Sequence, residues 1–94
     1  MNIRRLVLDV DKTLARPSLV ELAEAIEHVA GVEGLNILVK EIDVETVDMD
    51  ITIEGEHLEY AAIVKAIEAT GAVVHSIDQL ASGYRVVEPI KRER

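Results

Sequence analysis

From Ile3 to Asp11 apolar and polar positions alternate. Leu6, Leu8 and Val10 fall on one side, and Val7, Asp9 and Asp11 on the other. A period of two is that of a half-buried strand. The period then lengthens. Pro17 and Ser18 open a helix, because Ser18 with Glu21 three residues on forms a capping box. Leu22, Ala23, Ile26, Val29 and Ala30 make one apolar stripe of that helix, and Gly31 stops it. A second strand begins near Gly34. Ile37 and Val39 hold one phase while Ile42 and Val44 hold the other, so the slip around Lys40–Glu41 predicts a bulge. After a turn near Glu45–Thr46, Val47, Met49, Ile51 and Ile53 alternate with Asp48, Asp50, Thr52 and Glu54, and Gly55 ends this third strand. A second helix is predicted from about Leu58 to Thr70, with Tyr60, Ile63, Ala66 and Ile67 on one face and Gly71 as its stop. The fourth strand runs from Val73 to Leu80. Beyond the Ser82–Gly83 break, Tyr84–Val87 reads as a short additional strand and the tail 88–94 as flexible.

The order β-α-β-β-α-β with these lengths predicts an α+β, ferredoxin-like sandwich: a four-stranded antiparallel sheet with two helices on one face. Residues 1–94 form a single domain on this reading. Glu24-Ala25-Ile26-Glu27 and Lys65-Ala66-Ile67-Glu68 match locally, which hints at two β-α-β halves. The first and third strands lie side by side in the sheet centre, and a parallel course is expected for that pair. If Leu6, Leu8 and Val10 face the helices, Asp9 and Asp11 face outward, and Asp48 and Asp50 do the same from the adjoining strand. Glu41, Asp43 and Glu45 extend the patch.

Composition sharpens this picture. The 94 residues carry 10 Lys+Arg against 18 Asp+Glu, a formal net charge of −8. A surface that acidic repels phosphate backbones, so no nucleic-acid partner is expected. Two carboxylates about 5 Å apart repel by about 3 kcal/mol at an effective dielectric of ~20. A bound cation, arginines of a neighbouring subunit or water must offset that. An all-oxygen cluster suits a hard cation such as Ca²⁺ or Mg²⁺, so Asp9, Asp11, Asp48 and Asp50 are the candidate metal ligands. With no cysteine, thiolate metal sites, disulfides and thiol nucleophiles are excluded. No apolar run approaches the roughly 20 residues of a membrane span, and the first residues lack the apolar stretch of a signal peptide. A soluble, cytoplasmic domain with no membrane partner is expected.

Three motifs bear on chemistry. Asp9-Val10-Asp11-Lys12-Thr13 matches the D-x-D-x-T of haloacid-dehalogenase-type phosphatases, which would make the protein a Mg²⁺-dependent phosphatase. The chain is too short for their doubly wound fold, so the match reads as coincidental, and no catalytic residue is assigned. His28 and His57 are expected at the surface. Alternation places His75 with Val73 and Ile77 as a core histidine, and Asp78 on the side of the acidic patch. Among ferredoxin-like modules, RNA-recognition domains need sheet aromatics, copper chaperones a C-x-x-C loop, and acylphosphatases a glycine-bearing phosphate loop. All three are lacking. An ACT-like module with a ligand pocket at the subunit interface stays open.

Ile3-Arg4-Arg5-Leu6-Val7-Leu8-Asp9-Val10, Pro17-Ser18, Glu41-Ile42-Asp43 with Glu45-Thr46, Ile51-Thr52-Ile53-Glu54-Gly55 and His75-Ser76-Ile77-Asp78 together resemble domain-of-unknown-function family 211, a set of small archaeal proteins. The resemblance covers about Ile3 to Val87. It implies a ferredoxin-like fold, a multi-subunit assembly, divalent-cation binding and no assigned activity. Asp11-Lys12-Thr13 stands where the family pattern carries Leu-Lys-Pro, which leaves Asp9 the better family-wide ligand. The residues therefore lead to a non-enzymatic, homo-oligomeric protein whose acidic sheet face binds divalent cations, with no particular protein partner indicated.

Overall fold

The computed structural model describes residues 1–92. Its elements follow the order β1 (Ile3–Thr13), α1 (Leu19–Glu27), β2 (Val32–Ile42), β3 (Thr46–Gly55), α2 (Tyr60–Ala69) and β4 (Val73–Ser82). The strands form one sheet in the order β2-β3-β1-β4, and every adjacent pair is antiparallel. This is the ferredoxin-like arrangement, with one correction. β1 and β3 do not run parallel. The tight β2–β3 hairpin reverses the chain, closed where the Asp43 amide donates to the Thr46 carbonyl at 2.8 Å. A strand so reversed enters the gap beside β1 in the opposite sense.

The core lies between sheet and helices and is aliphatic. Leu6, Leu8 and Val10 of β1, Val47, Met49, Ile51 and Ile53 of β3, Leu22 and Ile26 of α1, and Ile63 and Ile67 of α2 are buried together with Leu58 and Ala72. Each fully buried side chain of this size contributes about 1.5–3 kcal/mol through removal of apolar surface from water. Helix α1 begins as its sequence dictates. The Glu21 amide donates to Ser18 Oγ at 3.1 Å and the Ser18 amide donates to Glu21 Oε1 at 3.1 Å. Helix α2 starts two residues later than its apolar face suggests, because the Leu58 amide donates to the Ile3 carbonyl at 3.0 Å and keeps Leu58 in the connection. No helix among the described residues is long and apolar enough to cross a membrane.

The bulge expected near Lys40 is present. Val39 pairs with Met49 and Glu41 with Asp48, leaving Lys40 outside the ladder. The extra strand over Tyr84–Val87 is absent. Gly83, at φ +115°, donates its amide to the Asn2 carbonyl at 2.8 Å, and its own carbonyl accepts from Arg4 Nε at 2.6 Å. Those bonds end β4 and turn the chain out of the ladder. The following segment is held to the sheet by Glu88, paired with Arg5 at 2.8 Å. Of the expected flexible tail, residues 93–94 lie outside the described residues.

Two glycines fix the end of the sheet opposite the hairpin. A Cβ on Gly55 would overlap the Gly31 carbonyl oxygen, and a Cβ on Gly31 would come within 2.5 Å of the Glu56 carbonyl oxygen. Gly31 also sits at φ +91°, where side-chain-bearing residues are strained. The α1–β2 and β3–α2 connections thus touch backbone to backbone. Ile51→Ala is expected to cost about 2–5 kcal/mol by leaving a core cavity. Gly55→Ala should exceed ~4 kcal/mol, the range in which a single change signals a collision the fold does not relax. Urea unfolding of both variants beside the parent checks this ranking.

Candidate functional site

Because β1 and β3 bury their apolar positions, their alternate residues share the uncovered face. The register sets Asp9 opposite Asp50 and Asp11 opposite Asp48. All four expected ligands are thus on adjacent strands and half-buried. Asp9, Asp11 and Asp48 converge most closely, each offering a carboxylate oxygen within 4.8 Å of the others. Asp50 is drawn aside by a residue to which the sequence pattern gives no role.

That residue is Lys40. At the bulge of β2 its ammonium reaches over the aspartates, 3.1 Å from Asp50 Oδ1, 3.6 Å from Asp48 Oδ2 and 3.8 Å from Asp9 Oδ1. Its outward direction was readable, since Lys40 keeps the parity of Leu38, opposite to Ile37 and Val39. The hydrogen-bonding interaction with Asp50 first, and the charges of Asp48, Asp50 and Asp9 after it, hold the ammonium above the usual lysine range. One lysine does not satisfy the cluster. Asp9 Oδ1, Asp48 Oδ1 and Asp50 Oδ1 are shut away from solvent without a directed hydrogen bond. At 3.1 Å the ammonium is near enough to neutralise Asp50 but lies off the line of a good hydrogen bond to that oxygen.

Asp9 and Asp48, diagonal neighbours across the strands, shift in opposite directions. The hydrogen bond to Asp48, then burial and the Asp48 charge, push Asp9 above the usual carboxylate range. The same hydrogen bond, helped by Asp11 and Lys40, pushes Asp48 below it. The two titrate as a pair.

His75 is not a core residue. Its Nε2 lies 2.9 Å from Asp11 Oδ2, and the side chain is exposed. The ladder explains the departure from alternation: Asp9 pairs with Ser76 and Val10 with Val74, so His75 is an unpaired bulge residue free to turn to the outer face. Asp78 is skipped in the same way and accepts from Ser76 Oγ at 2.8 Å, apart from the three converging aspartates. Of the acidic residues expected to extend the patch, Glu41 stands opposite Asp48. Asp43 Oδ1 accepts from the Val44 amide at 2.7 Å inside the hairpin, and Glu45 is exposed at its tip. His28 and His57 are at the surface, as the sequence indicates.

The direction of the Asp9 shift sets a pH dependence. A carboxyl raised in the folded state stabilises the fold below the unfolded value of about 3.9, and that stability is lost as pH rises through the folded value. Asp48 works in the opposite sense, stabilising above about pH 3.9 and losing that contribution as pH falls through its lowered value. Asp9→Asn keeps a donor toward Asp48 without ionising. It is expected to melt a few degrees above the parent at pH 7 in chelator, with the gap closing toward pH 4, as followed by circular dichroism.

Residues 4–94 match domain-of-unknown-function family 211, described as uncharacterized ArCR. An uncharacterized protein of Methanocaldococcus jannaschii is 37% identical over 90 residues, covering 96% of this chain and 92% of that protein.

Proposed function

Since the chain belongs to this uncharacterised family, no activity comes with its kinship, and we propose from the site itself that the protein is a non-enzymatic, homo-oligomeric binder of divalent cations. The observation that carries the proposal is the set of solvent-shielded carboxylate oxygens, Asp9 Oδ1, Asp48 Oδ1 and Asp50 Oδ1, which have no directed hydrogen bond and only the Lys40 ammonium nearby. A hard cation seated among Asp9, Asp11 and Asp48, with Asp50 within reach, supplies the missing partner. Ca²⁺ takes six to eight oxygen ligands at about 2.3–2.6 Å, and Mg²⁺ six at about 2.0–2.1 Å. Water completes either shell. A bound cation would compete with protonation of Asp9 and with the Lys40 ammonium for the same oxygens.

Two features favour binding over phosphatase chemistry. Asp9, Asp11 and Thr13 lie within one continuous strand, β1, rather than at a strand-to-loop junction where a substrate is presented. Lys40, the nearest cation, is spent on three aspartates. For assembly, the support is the pair of long edge strands, β2 of 11 residues and β4 of 10, with Leu38, Ile42, Ile77 and Leu80 exposed along them.

Melting in chelator and then across Ca²⁺ and Mg²⁺ titrations at fixed ionic strength tests the proposal. A saturable stabilisation of about 2.7 kcal/mol at a hundredfold excess over Kd is expected. It should grow as pH rises through the raised value of Asp9 and the competing proton leaves. Asp9→Asn should abolish the response, and Lys40→Gln should enlarge it while lowering stability in chelator. A flat titration, or one that sodium reproduces, overturns the cation site.

A further inference from the structure

At the other end of β1, roughly 20 Å from the aspartates at about 3.3 Å per residue, a cleft of about 520 Å³ is lined by Asn2, Arg4, Glu56, His57, Gly83 and Tyr84 together with Met1. We propose that this cleft binds the zwitterionic head of a small free α-amino acid.

The cleft is rigidly built. The Glu56 amide donates to the Gly31 carbonyl at 3.1 Å, the His57 amide to Asn2 Oδ1 at 2.7 Å and the Leu58 amide to the Ile3 carbonyl at 3.0 Å. Three successive amides are therefore tied to two remote segments of the chain. Between them His57 is held at φ +50°, the single side-chain-bearing residue at positive φ among those described. Such a conformation persists only where the surroundings over-determine it, and it aims the side chain in a direction ordinary backbone does not allow. Across the cleft, Gly83 at φ +115° turns the chain so that Tyr84 stands 98% exposed.

The polar groups carry both signs. Arg4 is fixed by its Nε bond to the Gly83 carbonyl at 2.6 Å, and its Nη2 lies 3.4 Å from Glu56 Oε1. That second contact is long and exposed, with donors of the guanidinium left over. The His57 imidazole makes no hydrogen bond among the described residues. A bare carboxylate would approach Arg4 and His57 but meet Glu56, and a bare amine would meet Arg4. A carboxylate and an ammonium on one carbon satisfy both: the carboxylate bridges Arg4 and His57, and the ammonium turns to Glu56. The ring of Tyr84 is left to cover the amino acid's side chain. Neither Arg4, Glu56 nor His57 takes part in the cation site, so the two sites stand or fall separately.

The test is an amide-resolved NMR titration of the full chain with each free L-amino acid, using sodium acetate and ethylammonium chloride as the two half-ligands at matched ionic strength. At least one amino acid is expected to give saturable shifts centred on Asn2, Arg4, Glu56, His57, Gly83 and Tyr84, while neither half-ligand does. His57→Gly removes the imidazole yet suits the backbone at that position, so it stays folded and should bind at least tenfold more weakly. Glu56→Gln should weaken the amino acid and admit acetate. The proposal fails if no amino acid gives saturable shifts. It fails equally if acetate matches the amino acid in the parent, or if His57→Gly binds as the parent does.

Discussion

The structure depends on the two-residue period of its central strand pair. Leu6, Leu8 and Val10 on β1 and Val47, Met49, Ile51 and Ile53 on β3 supply most of the sheet's share of the core. No tryptophan or phenylalanine is available to substitute for them. Burying that face leaves the intervening residues no choice of side. With the β1–β3 register fixed, Asp9 must stand beside Asp50, and Asp11 beside Asp48. Slipping the pair by one residue would relieve the charges only by exposing every buried aliphatic. The repulsion is therefore a consequence of the core, held in place by a hydrophobic gain far larger than its cost.

The molecule manages that repulsion with local devices. Lys40 reaches the cluster because the bulge frees it from the ladder. His75 reaches Asp11 for the same reason, from the opposite edge. Two bulges on flanking strands thus bring a nitrogen-bearing side chain over the aspartates from either side, while Asp9 and Asp48 are pushed in opposite directions as a pair.

The elements, their order and the outward course of the four aspartates were legible because each follows from local periodicity. So was the slip at Lys40, which shows as a change of apolar phase. His75 was not legible. Alternation is a rule for paired residues, and nothing in His75-Ser76-Ile77-Asp78 announces that the ladder skips two of the four. The strand direction of β3 follows from chain reversal at the hairpin, a topological fact that the pattern of side chains does not carry. The missing strand after Gly83 was also hidden, since Tyr84–Val87 has a suitable composition and loses its place to the hydrogen bonds that Gly83 donates to Asn2 and accepts from Arg4, both remote in sequence. The Arg4–His57 cleft depends on the contact between Gly31 and Gly55, which no spacing rule predicts.

That glycine contact also divides the two ends of the molecule by how freely their connections can change length. Where Gly31 and Gly55 meet, adding one residue to either connection would force apart backbones whose close approach leaves no slack. The β2–β3 hairpin has no such neighbour: Val44 is 83% exposed at its tip, beyond the bond that closes the turn. Natural lengthening, proteolytic nicking and grafted peptides should accordingly be accommodated at the hairpin and rejected at the glycines, which makes the sheet a platform anchored at one end and open to elaboration at the other.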